Sequence, residues 1–156
     1  MGRCVRLSWE HAVEAWRTAP VRRPGVTTGH LLLGVLKEDA CAGGLILRML
    51  DFDLERATAI TDFILLHSRP KDPKPADVVE WEGVPHSLQA YEALELSWQE
   101  ADLFSATYPI GTEHLLLALL RVPESIGYRT MHFLGTHVDV VRAKRDSFWE
   151  LLKSPE

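Results

Sequence analysis

Apolar residues recur along most of this chain at helical spacing. Trp9, Ala12, Val13 and Trp16 fall at i, i+3, i+4 and i+7, and Ala90, Ala93, Leu94, Ser97 and Ala101 trace a second stripe of the same period. An α-helix presents one face to a core in this way. Small residues dominate the second stripe, so close helix packing is expected. Two leucine-rich runs, Leu31–Leu36 and Leu115–Leu120, read as buried helices. Thr28 and Thr112 open those runs as N-cap candidates, because a side-chain oxygen there satisfies a free backbone donor. Glycines at 43, 44 and 135 and prolines at 20, 24, 109 and 123 mark breaks, since proline cannot continue a helix interior. The pattern predicts an all-α fold of about eight helices, over residues 8–19, 28–38, 41–50, 53–67, 86–103, 112–121, 124–134 and 137–153. Val78 to Gly83 alternates only weakly and is read as loop.

The helices come in two sets. Thr28-Gly29-His30-Leu31-Leu32-Leu33-Gly34-Val35-Leu36 returns 84 positions later as Thr112-Glu113-His114-Leu115-Leu116-Leu117-Ala118-Leu119-Leu120, with six of nine positions identical. The same offset lays Leu47-Arg48-Met49-Leu50 on Met131-His132-Phe133-Leu134, and Leu54 on Val138. Upstream, Ala12 and Ala15 match Ala90 and Ala93 at an offset of 78, which implies a six-residue deletion near Pro20–Gly25. A repeat of this length means that each copy is a supersecondary unit burying its apolar face on the other. The expected organisation is a first four-helix repeat over residues 1–67, a proline-rich connector over 68–85 and a second, pseudo-symmetric repeat over 86–156, packed as one domain.

Composition narrows the function. With 156 residues, 46 % hydrophobic and 25 % charged, the chain suits one well-cored globular domain. A net charge of −5 supplies no basic surface for a phosphate backbone, so nucleic acid is not an expected partner. No apolar run approaches the roughly 20 residues that cross a bilayer, and the charged amino terminus lacks a signal-peptide core. A cytoplasmic protein with no membrane contact is expected. Cys4 and Cys41 have no C-x-x-C spacing and are read as plain thiols, Cys41 buried and Cys4 near a chain end.

The segment Ile110-Gly111-Thr112-Glu113-His114-Leu115-Leu116-Leu117-Ala118-Leu119-Leu120, with Ala90-x-x-Ala93-Leu94-Glu95-Leu96-Ser97 one helix earlier, resembles the Clp N-terminal domain. That is the double four-helix repeat preceding the ATPase rings of Clp unfoldases. The resemblance spans nearly the whole chain, and Gly29 departs from it where the family carries an acid. It implies a receiver of substrates and adaptors that in some members binds phosphorylated arginine at two pseudo-equivalent sites. No P-loop, G-x-x-x-x-G-K-S/T, is present to hold nucleotide phosphates, so a recognition domain without its motor is expected, and no cofactor is signalled.

By this resemblance Ser87, Thr112 and Glu113 match the phosphoarginine site of the second copy. Ser87 would offer a hydroxyl and the free amides of a helix start, and Glu113 a carboxylate for a guanidinium fork. Read without a ligand, Ser87 is an N-cap and Glu113 a first-turn acid favoured by the helix dipole. The matching first-copy positions, Trp9, Thr28 and Gly29, lack the hydroxyl and carboxylate at 9 and 29, so that site is read as lost. His30 and His114 have no H-E-x-x-H partner and are read as packing beside the leucines and bonding a backbone group at the helix start. Glu113 and His114, successive on a helix, are expected to diverge. No metal set appears. Trp9 and Trp81 are the expected partner-facing anchors, whereas Trp16 and Trp98 are expected to pack inside. Glu92, Glu95, Glu100 and Asp102 read as a solvated face. The leading expectation is a non-catalytic docking protein whose partners are a Clp unfoldase, its substrates or its adaptors. A sensor of a modified side chain such as phosphoarginine is the alternative, and an enzyme using His114 is the third reading.

Overall fold

The computed structural model describes residues 2–21, 23–67, 78–104 and 110–153; the connector segment 68–77 and Pro109 lie outside them. Four helices come first: α1 (Arg3–Thr18), α2 (Thr28–Lys37), α3 (Ala42–Met49) and α4 (Leu54–His67). A hairpin follows, β1 (Val78–Trp81) and β2 (Val84–Ser87), and then α5 (Leu88–Phe104), α6 (Thr112–Leu119), α7 (Ile126–Phe133) and α8 (Val138–Lys153). The leucine-rich helices α2 and α6 lie against each other at the centre. Every residue of α6, and all of α2 except Lys37, is buried, as expected of helices apolar all round.

The first helix starts five residues earlier than its apolar stripe suggested. Val5 and Ser8 extend the buried face by a turn, and Gly2 accepts the Arg6 amide at 3.0 Å. Arg3 and Leu88, the first residues of α1 and α5, lie 85 positions apart. At that spacing the buried Val5, Ser8, Trp9 and Ala12 fall on the buried Ala90, Ala93, Leu94 and Ser97. The 78-residue offset and its six-residue deletion are therefore corrected. The two copies run nearly in step throughout, and Trp9 is the counterpart of Leu94 rather than of Ser87.

The two expected threonine caps have another role. Thr27, not Thr28, caps α2, and Gly111 occupies the N-cap of α6. That leaves the Thr28 and Thr112 hydroxyls one position inside their helices, where they reach across to the other copy. Thr112 Oγ1 accepts the Gly43 amide at 2.8 Å, and Thr28 Oγ1 accepts the Gly127 amide at 3.0 Å. These bonds are images of one another at the 84-residue offset. Both glycines stand at close backbone approaches: a Cβ on Gly43 would lie 3.0 Å from the Thr112 carbonyl, and one on Gly127 would lie 3.2 Å from the Thr28 oxygen.

Two further expectations are overturned. Val78–Gly83 is not loop. Glu82 and Gly83 both take positive φ, 52° and 74°, the backbone hand of primed two-residue hairpin turns, and pair Val78–Trp81 with Val84–Ser87. The hairpin is sewn to the chain before α2, where the Val26 amide donates to Pro85 O and the Ser87 amide to Val26 O, both at 2.9 Å. Cys4 and Cys41 are not free thiols but a disulfide, Cα–Cα 6.1 Å. Both are only half-buried. The bond ties the start of α1 to the N-cap of α3, a proximity that sequence spacing does not encode.

Candidate functional site

The second-copy residues sit where two helices begin. Ser87 closes β2 and caps α5, its Oγ accepting the Ala90 amide at 3.1 Å. Thr112 is fully buried and spends its hydroxyl on Gly43. Glu113 is 3 % exposed. Its carboxylate folds back over Gly111, where any Cβ would collide with it, and comes 3.2 Å from His114 Nδ1. The expected divergence of Glu113 and His114 is thus corrected. The free amides of the first turn draw the carboxylate back along the axis. Burial pushes its pKa above the ordinary carboxylate range, against the opposing pull of its own backbone amide and of Arg145.

His30 and His114 each bond a backbone group at the start of their helix, as expected. Thr27 N–H donates to His30 Nδ1 at 3.0 Å, and Gly111 N–H donates to His114 Nδ1 at 2.9 Å. An imidazole that accepts at Nδ1 is neutral. Burial lowers both to about 4, helped by the charge of Arg23 at His30 and of Arg145 at His114, where Glu100 acts in the opposite sense.

In the first copy, Thr28 is buried. A Cβ on Gly29 would lie 2.7 Å from Ile126 Cγ2. An acid at 29 therefore has no room, whereas the residue 84 positions before Ile126 is Ala42. Trp9, expected to face a partner, is only 8 % exposed. Its Nε1 donates to His86 Nε2 at 3.0 Å, and its ring meets Trp81 edge-on at 5.2 Å. His86 is fully buried, and its Nδ1 lies 2.8 Å from Val84 O. With Nε2 accepting, Nδ1 carries the proton. Trp98, expected inside, is 49 % exposed; at four residues from Leu94 it falls on the outer edge of the stripe.

Sequence reasoning missed a buried ion-pair cluster around Glu100. Glu100, assigned to a solvated face, is 1 % exposed. Its Oε1 accepts Arg121 Nη1 at 2.9 Å and Arg142 Nη2 at 2.8 Å, and its Oε2 lies 3.9 Å from Arg145 Nη1. Arg145 in turn grips Asp146 Oδ1 through Nε and Nη2 at 3.1 and 3.0 Å. The signal was available: Glu100 stands at i+3 from Ser97 and i+7 from Ala93, within the small-residue stripe. At the corresponding place the first copy has a cavity of about 410 Å³ between α1, α2 and α4.

The architecture has clear relatives. The N-terminal domain of the Arabidopsis thaliana chaperone ClpD superposes with a TM-score of 0.69 at 16 % identity, over 96 % of this chain and 94 % of that one. The Hsp104 N-terminal domain of Candida albicans gives 0.67 at 18 %, over 97 % and 90 %. The chain has the fold of the Clp N-terminal domains. An ATP-dependent Clp protease ATP-binding subunit ClpA homolog of Porphyra purpurea is 30 % identical over 119 residues, which cover 76 % of this chain and 13 % of that protein. An uncharacterized protein of Mycobacterium tuberculosis is 37 % identical over 121 residues, 78 % of this chain and 42 % of that relative. The chain thus spans about two fifths of the mycobacterial protein and about an eighth of the Clp subunit. No protein-family model matches it. No helix among the described residues is long and apolar enough to cross a membrane. In this fold the Thr–Gly seam joins the two copies, and the positions flanking it differ between them.

Proposed function

We propose that this chain is a non-catalytic docking domain of a Clp system, which receives substrates or adaptors, or binds a Clp unfoldase, and so modulates regulated proteolysis or protein quality control. The observation that carries the reading is the double-repeat fold shared with N-terminal domains of Clp-type ATPases. His114 and Glu113, the groups an enzyme would use, are both buried, which favours docking over chemistry. A cytoplasmic setting accompanies the proposal. Pull-down of the Clp ring and its substrates from the same cell, with a degradation assay, tests it; an absence of both association and any change in rate would refute it. The second reading, a phosphoarginine sensor through Ser87, Thr112 and Glu113, draws support from the Glu113 carboxylate held at a helix start. It requires that side chain to swing outward from its buried position. Calorimetry with phosphoarginine on the parent and on Glu113→Ala decides it, since equal heats or no heat would end it.

A further inference from the structure

The two copies fill the space between their outer helices differently. In the second copy, Glu100 of α5, Arg121 just beyond α6, and Arg142 and Arg145 of α8 meet in that space. At the offsets the structure establishes, their first-copy counterparts are Ala15, Lys37, Thr58 and Thr61. Three long charged side chains have become short ones, and the cavity of about 410 Å³ stands there, with Ala15, Leu33, Thr58 and Leu65 on its walls. Volumes of this size with apolar walls and a few polar groups are typical of binding sites.

One element of the second-copy arrangement is retained. Asp146, which takes the forked grip of Arg145, has Asp62 as its counterpart. Asp62 lines the cavity at its exposed rim, but the residue before it is Thr61, so the acceptor is present without its arginine. No ion pair to Asp62 within 4.0 Å occurs among the described residues. Leu66, 41 % exposed, adds an apolar side chain to the same rim. Lys37 shares the rim and acts electrostatically on Asp62.

We propose that this first-copy cavity binds an arginine side chain of a partner polypeptide, the methylene stem lying along the apolar walls and the guanidinium resting on Asp62. A planar guanidinium with a long apolar stem suits both surfaces. The proposal rests on the reading of the chain as a docking domain, but its test needs no Clp protein, so either can fail alone. The probe is a fluorescein-labelled eight-residue peptide with a single arginine between leucines, set against the same peptide with neutral, isosteric citrulline, and read by fluorescence anisotropy. The arginine peptide should bind about tenfold more tightly, the scale of one charge-assisted fork. Asp62→Asn should remove the preference. Lys37→Met, which deletes a competing cation, should raise affinity about threefold. Thr58→Arg, placing a guanidinium four residues from Asp62 on the same helix face, should abolish binding. Equal binding of the two peptides, or an undiminished preference in Asp62→Asn, would overturn the proposal. Because Asp62 is exposed, Asp62→Asn keeps the test decisive even if Thr58→Arg does not fold.

Discussion

The hydroxyl of Thr112 accepts the amide of Gly43 at 2.8 Å, from the second helix of one copy to the third of the other. Its image, Thr28 to Gly127 at 3.0 Å, makes the seam reciprocal. Replacing either threonine by valine keeps the shape and strands a buried amide. Thr112→Val and Thr28→Val should each lower the unfolding free energy by about 1–3 kcal/mol in urea titrations. Gly43→Ala should destabilise by a similar amount, about 1–3 kcal/mol, by crowding the Thr112 backbone. Unchanged midpoints would mean that the seam contributes nothing.

Glu100 neutralises a cluster that holds α5, α8 and the end of α6 together. Removing the charge of this buried carboxylate leaves three guanidinia close together, Arg145 among them buried and the other two reaching solvent, so Glu100→Gln should cost about 3 kcal/mol. Arg121 and Arg142 are about a third exposed, 31 % and 37 % at the side chain, and solvent screens what each gives. Arg142→Met should therefore cost only about 1 kcal/mol. Urea denaturation of the two variants, compared side by side, tests this ordering.

Acid should weaken the fold through its histidines. His30 and His114 titrate near 4 when folded and near 6.5 when unfolded, so between those values the unfolded chain binds more protons. Stability is fully present above pH 6.5, falls as pH drops to about 4, and levels off below that. Buried His86, also lowered, adds to the loss. Glu113 has the opposite sign: its raised pKa lets the folded state hold a proton the unfolded state has released, which favours folding as pH falls. Denaturation across pH 4–7 should show a shallower slope for His30→Gln and a steeper one for Glu113→Gln.

The Cys4–Cys41 bond closes a loop over a separation of 37 residues. Reduction should lower stability by about 2–4 kcal/mol, and Cys4→Ser should reproduce the effect without further response to reductant. Alkylation of freshly lysed cells followed by mass spectrometry reads the bond in place. Two blocked thiols would fit a reducing compartment, and none an oxidising one.

Much of the fold was legible because both leucine runs and their flanking breaks are local signals. Apart from α1, every helix end lies within two residues of its expected position. The start of α1 escaped because Cys4, Val5 and Ser8 take their partners far along the chain: Cys4 bonds Cys41, Val5 packs with Ala101 and Ile110, and the Ser8 backbone faces Gly34. The hairpin turns on Glu82-Gly83, a faint form of the Asn-Gly signal. The disulfide and the Glu100 cluster join residues far apart in sequence, which periodicity cannot report. For the candidate site, the sequence located Ser87, Thr112 and Glu113 at helix starts. It did not reveal that the threonine hydroxyl is spent on the other copy or that the carboxylate turns inward, because both follow from how closely the copies approach.

A docking module for a Clp system must bind at least one component of that system. Biolayer interferometry of the immobilised chain against the Clp unfoldase of the same cell, with its adaptors and unfolded substrates presented in turn, addresses this most directly. Saturable binding to at least one of them, with a dissociation constant at or below about 10 µM, is predicted, a range ordinary for transient protein contacts. No saturable binding to any of them at concentrations above about 100 µM would contradict it.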